Sequence, residues 1–507
     1  MEKGGGELTK TMTEHVFEAS LEYLKTMPKE QRKSIGQFFT SVETAQYMAS
    51  MFIVPSKAEL SILDPGAGSG ILTAAAIESV QSVKEVKNIR VTCYETSEDV
   101  LPLLNKNLEY IKLASAITVD YEIIAQNYIT AQSNDFTVNS HTATTPRRYD
   151  WIICNPPYRK IPKNAIEALS MPDVCYGAPN LYFLFMAMGL FNLDEHGEMV
   201  YIIPRSWTSG AYFQKFREYF LGVGTLKHIH LFVSRDKVFE KENVLQETII
   251  IKVDRTNNRK SIKLTCSHSN SDFNHISTIF VPYSEIVAGP EKYVYLVTTE
   301  AELKVIQTLN KWEDTLLSLG MKMKTGLTVD FRCKEYLRNE PDEDTVPLLY
   351  AQHIKNGKID FPVHRDNEYI TTERAGLLQK NKNYLIIKRF SSKEEMRRLQ
   401  CGIYLATDFP QYKQISTQNK VNFIEGKNYD LTQEQVYGLY VLFNSTLYDQ
   451  YYRILNGSTQ VNATEVNAMP VPPLNVIEQL GSSLVKQNNL SVSTCDNLLG
   501  GLINEQN

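Results

Sequence analysis

The feature that most constrains the fold is a repeated alternation of strand, loop and helix between about residues 60 and 255. The segment YDWIIC at 149–154 is almost continuously apolar, which is typical of a strand buried on both faces of a parallel sheet. Helical segments such as ILTAAAIESV at 71–80 separate such strands. The alternation predicts a doubly wound, mostly parallel, Rossmann-like α/β sheet.

The length of the chain indicates more than one domain. It has 507 residues, which is too long for one ordinary core. After about residue 300 the alternation fades, and shorter strands, basic runs and aromatic residues replace it. We therefore predict an N-terminal helical extension over 1–35, the sheet domain over 36–300, and a separate mixed α+β domain over 301–507.

Composition excludes several classes of protein. Seven cysteines without a CxxC pair argue against a disulfide scaffold and a cysteine zinc site, and nine histidines without an HxxxH pattern predict no metal. The start of the chain lacks the apolar core of a secretory signal, and no apolar run approaches the ~20 residues that span a bilayer. We expect a cytoplasmic protein without a membrane partner. The net charge of −5 does not indicate a positively charged surface that would attract nucleic acid over the whole molecule, but a local basic patch is still compatible with it.

A glycine-rich loop, DPGAGSG at 64–70, follows a strand and precedes a helix. Gly66, Gly68 and Gly70 allow the backbone to turn sharply and a ligand to approach it closely. The alternative is an ordinary tight turn between a strand and a helix. Nothing in the chain matches GxxxxGK[ST], so a triphosphate is not expected, and S-adenosylmethionine fits better.

Polar residues also follow the next two predicted strands. Glu95 ends the second strand, about 25 residues after the loop, where a carboxylate can bind both ribose hydroxyls. After the third strand, Asn127 can hydrogen-bond an adenine edge and Tyr128 can lie against its ring. Each has an alternative: Glu95 as a surface carboxylate, Asn127 as a turn residue, and Tyr128 as part of the core. Their position at successive strand ends favours the cofactor site.

The motif Asn155-Pro156-Pro157-Tyr158 ends the most apolar strand. The two prolines fix the backbone, so that the Asn155 side-chain oxygen and the Pro156 carbonyl can accept both hydrogens of a planar amine and direct its lone pair at a methyl donor. Tyr158 offers a stacking face for a base removed from a duplex, and Phe239 is our candidate for a second aromatic wall. The alternatives are a Pro-Pro turn with Tyr158 in the core, and a core Phe239 at the start of a strand.

These motifs resemble the gamma-class N6-adenine DNA methyltransferases of bacterial type II restriction–modification systems. GQFFTS at 36–41, DPGAGSG and NPPY occur in the order of that family. The segment GSTQVNATEVNAMPVP at 457–472 is similar to the end of the family's recognition domain. Length and layout resemble, within the family, the methylases that accompany the endonucleases PstI and BsuBI, which implies CTGCAG as the target.

The resemblance implies roles for the matching positions. Thr40, Asp64 and Gly66 are expected at the methionine part of S-adenosylmethionine. Glu95 is expected at the ribose, and Asn127 and Tyr128 at the adenine, although the family often has Asp where this chain has Asn127. Residues 36–300 become the catalytic domain and 301–507 the target-recognition domain. Double-stranded DNA is the expected partner, and a restriction endonuclease is expected to act alongside without a stable complex.

One basic stretch of the C-terminal half is suited to phosphate contacts. Lys388, Arg389, Lys393 and Arg397 concentrate positive charge among aromatic residues. The alternative is a solvated charged helix face within KEEMRRLQ at 393–400.

Two rival functions stay open. NPPY also occurs in methyltransferases of RNA guanine N2 and of protein glutamine, because each target is a planar amine. A non-catalytic DNA-specificity subunit that retains the fold is a different class of protein. The intact glycine loop and the intact NPPY disfavour that subunit, and the long C-terminal domain favours DNA as the substrate.

Overall fold

The chain divides into two compact units. The structure is a computed structural model that describes residues 10–26, 40–54, 56–133, 136, 147–232, 248–270, 272–392, 395–456 and 458–505. The first unit comprises residues 1–208 and 212–298, and the second comprises 209–211 and 299–507.

A large sheet forms the centre of the first unit. Its strands in the described residues are β1 (Glu59–Asp64), β2 (Asn88–Tyr94), β3 (Thr118–Ile124), β4 (Tyr149–Cys154), β5 (Leu193–Pro204), β6 (Thr225–Phe232), β7 (Thr248–Asp254), β8 (Ser261–Ser267) and β9 (Ser277–Pro282). They lie in the order β3-β2-β1-β4-β5-β7-β6-β8-β9. The pairs among β1 to β5 and the pair β6–β8 are parallel, whereas β7 is antiparallel to both neighbours and β9 to β8. The predicted mostly parallel α/β fold is confirmed.

Helices cover this sheet. Those of the first unit that the structure describes are Met12–Thr26, Val42–Ser50, Ile71–Glu78, Leu101–Ala114, Tyr128–Gln132, Ile166–Ser170, Leu181–Asn192, Gln214–Val223 and Tyr283–Ile286. The helix Leu181–Asn192 is buried along almost its whole length, which explains its apolar sequence LYFLFMAMGLFN. The first helix belongs to this unit: the backbone N–H and hydroxyl of Thr13 both donate to the carboxylate of Glu78, at 2.9 and 2.7 Å.

The order of the strands determines where a site can form. β1, β2 and β4 are adjacent and parallel, and β3 extends the sheet beyond β2, so their carboxyl ends meet at one edge. Ligands of open α/β sheets bind outside that edge, where the strand order reverses. Here the reversal lies between β1 and β4. The glycine loop after β1 and the NPPY motif after β4 are therefore neighbours, although about 90 residues separate them in the chain.

The described residues of the second unit form three smaller sheets. Its strands within the described residues are β12 (Asp314–Thr315), β13 (Met321–Thr325), β14 (Leu337–Arg338), β15 (Val346–Leu349), β16 (Ile354–Lys355), β17 (Lys358–Ile359), β18 (Tyr369–Ile370), β19 (Gln379–Lys380), β20 (Tyr384–Lys388), β21 (Cys401–Tyr404), β22 (Gln414–Thr417), β23 (Val421–Gly426) and β24 (Pro470–Val471); β10 (Val287–Ala288) and β11 (Tyr293–Val294) precede them in the first unit. One sheet has the order β13-β23-β20-β21-β17-β16 and a second has the order β14-β18-β15-β22-β19, whereas β12 and β24 form a two-stranded antiparallel sheet. The accompanying helices are Glu300–Leu309, Gln433–Asn444, Thr446–Leu455, Ala463–Asn467, Leu474–Gln487 and Val492–Glu505.

Two features are absent from the part of the chain that the structure describes. No helix there has the length and apolarity needed to cross a membrane. Those same residues contain no group of three or more His, Cys, Asp or Glu side chains placed to hold a metal ion.

Candidate cofactor and catalytic site

A cavity of about 560 Å³ opens at the carboxyl edge of the large sheet. This volume lies in the range of roughly 300–1,000 Å³ that is typical of small-molecule sites. The predicted site residues that line it are Thr40, Gly66, Gly68, Glu95, Asn127, Tyr128, Asn155 and Pro157. The cavity therefore brings together segments that follow four different strands, as the motif pattern predicted.

The glycine loop forms the floor of this cavity. Gly68 and Gly70 have φ angles of 54° and 84°, in the left-handed region that residues with a Cβ adopt at a cost. Gly70 immediately precedes the helix Ile71–Glu78. The N–H of Ala67 donates to the carbonyl of Tyr94 at 3.0 Å, which ties the loop to the end of β2. Gly70 itself is not among the residues that line the cavity; it serves the turn.

Glu95 is bound to the backbone on two sides. Its Oε2 accepts from the N–H of Gly68 at 2.9 Å, and its Oε1 accepts from the N–H groups of Thr96 and Ser97 at 2.7 and 2.8 Å. A carboxylate has about four acceptor positions, so these three bonds leave capacity for a ribose hydroxyl. Glu95 is thus held at the cavity wall and also holds the glycine loop, a second role that its sequence position did not reveal.

Asp64 lies behind the loop. It is fully buried, is not among the residues that line the cavity, and accepts a 2.9 Å hydrogen bond from the hydroxyl of Thr73. Burial raises the pKa of Asp64 to about 7 because it penalises the ionised form, while the Thr73 hydrogen bond opposes the rise. The side chain of Asp64 therefore does not line the cavity, and its contact with the methionine part of the cofactor stays a prediction.

Asn127 caps the short helix Tyr128–Gln132. Its Oδ1 accepts from the N–H groups of Ile129 and Thr130 at 3.0 and 3.4 Å, and its Nδ2 donates to Oε1 of Glu167 at 3.0 Å. Tyr128 is 2% exposed and donates to Oδ1 of Asn192 at 2.7 Å. Both residues line the cavity. Asn127 also has a local backbone role and Tyr128 also belongs to the core, which are the kinds of role that their alternative interpretations describe.

The amide of Asn155 is oriented by two neighbours of opposite polarity. Its Nδ2 donates to Oγ1 of Thr40 at 3.2 Å, and its Oδ1 accepts from the hydroxyl of Tyr158 at 2.8 Å. Thr40 is available for this contact because Ser41 caps the following helix, accepting from the N–H of Thr44.

Tyr158 is anchored through its hydroxyl. Besides Asn155, the carbonyl of Ile202 lies within hydrogen-bond distance of that hydroxyl, at 2.9 Å, and the ring of Tyr182 meets the Tyr158 ring edge-on at 6.3 Å. Burial raises the pKa of Tyr158 well above its ordinary value, so the hydroxyl stays a donor at neutral pH. Pro156 is buried beside it, and Pro157 faces the cavity. Phe239, the predicted second wall, lies outside the described residues.

Several residues that line the cavity were not singled out in the sequence, and three of them could contribute to binding. Arg159 follows NPPY, Glu167 lies on the helix Ile166–Ser170, and Phe185 lies on the helix Leu181–Asn192. Phe185 was hidden in a uniformly apolar helix. Glu167 belongs to a stretch without periodicity, so only its proximity in the fold distinguishes it.

The described basic residues of the predicted phosphate-binding stretch contact their own unit. Nζ of Lys388 forms a 2.9 Å ion pair with Glu395, Arg389 donates to the carbonyl of Asn419 at 2.9 Å, and Arg397 donates to that of Ser445 at 2.8 Å. All three are half-buried. Lys393 lies outside the described residues. These contacts support a structural role, and a DNA contact by these residues stays a prediction.

Comparison with known proteins identifies the family. Residues 75–239 match the Eco57I restriction-modification methylase family. Over 461 residues the chain is 33% identical to the type II methyltransferase M.BsuBI of Bacillus subtilis, covering 90% of this chain and 91% of that protein. Over 470 residues it is 34% identical to M.PstI of Providencia stuartii, with the same coverage of both chains.

The fold has a relative among solved structures. The Type IIL restriction-modification enzyme MmeI, solved in complex with DNA, has a TM-score of 0.54 at 12% identity, over 95% of this chain and 73% of that one. The predicted resemblance to the PstI- and BsuBI-type methylases is confirmed by the identities over most of the chain. The chain belongs to the type II methyltransferases of restriction–modification systems, and its cofactor is S-adenosylmethionine, as the glycine loop predicted.

Proposed function

We propose that this chain is a site-specific DNA methyltransferase that transfers a methyl group to N6 of an adenine rotated out of duplex DNA. Methylation at that site would protect the DNA from a cognate restriction endonuclease. One observation carries the proposal: Asn155 and Pro157 of the NPPY motif share a single cavity with residues 65–69 of the glycine loop. A planar amine held at NPPY is therefore next to the place where the methyl donor binds.

The arrangement supports a cofactor placement. Glu95 would accept from the ribose hydroxyls, the glycine loop would face the chain of the methionine part beside Thr40, and the adenine would lie near Tyr128 at the end of β3. When bound, S-adenosylmethionine supplies an electrophilic methyl group on a sulfonium.

The residues of NPPY would prepare the nucleophile. An adenine amino group has its lone pair delocalised into the ring. An amide oxygen has two lone pairs, so Asn155 Oδ1 can accept from the amine while it accepts from Tyr158, and the Pro156 carbonyl is a second acceptor for the other amino hydrogen. This makes the nitrogen more tetrahedral and directs its lone pair along one line. The nitrogen would then bond to the methyl carbon as the bond from that carbon to the sulfonium sulfur breaks and S-adenosylhomocysteine leaves, and the resulting ammonium would lose one proton to water. Thr40 keeps the Asn155 amide from turning its NH₂ toward the base.

The experiment that tests the proposal compares substrates and one variant. Purified protein is incubated with labelled S-adenosylmethionine and, separately, duplexes with and without CTGCAG, RNA and a protein extract, and the methylated nucleoside or residue is identified by mass spectrometry. We expect N6-methyladenine in duplex DNA. Asn155→Ala should lower methyl transfer by ~10²–10³-fold, typical for one positioned polar group, while cofactor affinity stays unchanged.

A matched control excludes a general effect of removing an amide. Asn164 is exposed and has no hydrogen bond in the described residues, so Asn164→Ala should keep wild-type turnover. Methylation of RNA guanine or protein glutamine in place of DNA would replace the substrate, and no methylation at all by the wild type would favour the non-catalytic specificity subunit. Near-normal turnover of Asn155→Ala would remove NPPY from the chemistry.

A further inference from the structure

The amide of Asn127 has no acceptor capacity left for a ligand. An amide oxygen has two lone pairs, and Oδ1 of Asn127 already accepts two backbone hydrogen bonds at the start of the helix Tyr128–Gln132. Its Nδ2 is directed at Glu167. The exocyclic amino group of an adenine at the end of β3 is a donor and needs an oxygen with a free lone pair. Asn127 does not provide one.

Glu167 provides that oxygen. It is half-buried, lines the cavity together with Asn127 and Tyr128, and accepts from Nδ2 of Asn127 through Oε1 at 3.0 Å. Its other oxygen, Oε2, forms no hydrogen bond within the residues that the structure describes. An ionised carboxylate only accepts hydrogen bonds, so a donor of the ligand is the partner that suits Oε2.

We propose that Glu167 accepts a hydrogen bond from the exocyclic amino group of the cofactor's adenine and so selects a 6-aminopurine. Asn127 is the positioning residue, because its Nδ2 holds the carboxylate in place while its Oδ1 is fixed by the helix cap. The division of labour also explains the amide at position 127: an aspartate there would face the carboxylate of Glu167 at hydrogen-bond distance, and two like charges so close repel each other. The inference rests on the proposed placement of the adenine at the end of β3 and is independent of the methylated substrate.

The polarity of this hydrogen-bond chain gives a sharp test. In the wild type, Asn127 donates to Glu167, and Glu167 accepts from the ligand. In Glu167→Gln, one side of the new amide must present NH₂ either to Asn127 Nδ2 or to the adenine amino group, so a donor faces a donor. In the double variant N127D/E167Q, the aspartate introduced at position 127 accepts from the NH₂ of the new glutamine, whose oxygen again faces the adenine. The net charge of the pair is the same as in the wild type.

The measurement is calorimetric and uses the full-length protein without DNA. Two ligands are compared for each variant: S-adenosylhomocysteine and its analogue in which hydrogen replaces the 6-amino group. A hydrogen bond to a charged group corresponds to about 10- to 100-fold in affinity, so we expect the wild type to prefer the amino ligand by that factor. Glu167→Gln should reduce the preference to less than about threefold. The double variant should restore a preference of about 3- to 10-fold, because the glutamine oxygen accepts a neutral hydrogen bond where the carboxylate accepted a charge-assisted one.

The design separates this inference from other effects. Because both ligands are measured on the same variant, a partial loss of folded protein cancels in the ratio. Glu85→Gln, at an exposed carboxylate without a hydrogen bond in the described residues, is the control and should keep the wild-type ratio. A wild-type ratio in Glu167→Gln would overturn the assignment of Glu167, and a double variant that stays unselective would overturn the positioning role of Asn127. Failure of the DNA assay would leave both results unaffected.

Discussion

Glu95 is the residue at which the geometry gives the most quantitative expectation. Three backbone N–H groups converge on its carboxylate, from Gly68 on one side and from Thr96 and Ser97 on the other. In Glu95→Gln a single amide oxygen can serve only one side, and the amide NH₂ then faces the N–H donors of the other. At least one charge-assisted hydrogen bond is lost, each contributing about 1.5–3 kcal/mol. The glycine loop should therefore loosen at the same time as the cofactor site weakens.

Two measurements check this expectation. Hydrogen exchange followed by mass spectrometry should show faster exchange at the amides of Gly68, Thr96 or Ser97, by about 10- to 100-fold if local opening costs ~1.4–2.8 kcal/mol less. Calorimetry should show S-adenosylhomocysteine bound more weakly by a similar factor. Glu98→Gln is the matched control, since Glu98 is exposed and has no hydrogen bond in the described residues. Unchanged exchange at all three amides together with unchanged affinity would refute the role of Glu95 in both the loop and the site.

Two further predictions concern the catalytic motif and the buried acid. Tyr158→Phe keeps the ring but removes the hydroxyl that donates to Asn155, a hydrogen bond worth ~0.5–1.5 kcal/mol, so turnover should fall by about 3- to 10-fold. The fluorescence of a 2-aminopurine at the target position should still increase on binding to Tyr158→Phe, whereas Tyr158→Ala should lose this increase as well. Equal effects of the two variants would contradict the stacking role. Because burial raises the pKa of Asp64 from 3.8 to about 7, folding takes up a proton between these values and wild-type stability falls as pH rises through that range. Asp64→Asn cannot ionise, so urea titrations should show its unfolding free energy gaining on that of the wild type between about pH 4 and about pH 7 and levelling off above that range. A constant difference would show that Asp64 does not titrate there.

The sequence predicted those parts of the fold that local patterns determine. The parallel strands β1 to β4 were recognisable because each is a short strand-like segment that a helix follows along the chain, and the glycine loop and NPPY could be placed at the ends of β1 and β4 by position alone. The insertion of β7 between β5 and β6 was not predictable, because pairing in a sheet depends on contacts far apart in the chain. The sequence TIIIKVD of β7 is compatible with parallel or with antiparallel neighbouring strands, so it does not determine the position of β7 in the sheet.

The roles of single polar side chains were harder to predict than their positions. Asn127 follows a strand in either interpretation, and only the geometry shows that its oxygen is used by the helix that it caps. Arg389 and Arg397 are cations in a basic run, and only the fold shows that both donate to carbonyls of their own unit. A sequence reports which donors and acceptors are present, whereas their remaining capacity depends on neighbours that long-range folding supplies.

The remaining capacity of donors and acceptors also explains how the polar side chain of Asn155 is accommodated at the end of the apolar strand β4. The amide of Asn155 is half-buried, and an unpaired polar group in such a place would cost about 1–3 kcal/mol. Thr40 and Tyr158 satisfy one donor and one acceptor position of that amide, and they do so with opposite polarity, which leaves a single orientation favourable. The direction of Oδ1 is thus set before a substrate binds, so that no movement of the amide is needed. Preorganised acceptors of this kind avoid a reorganisation cost at the moment of reaction, which is the condition for a weakly nucleophilic amine to be methylated.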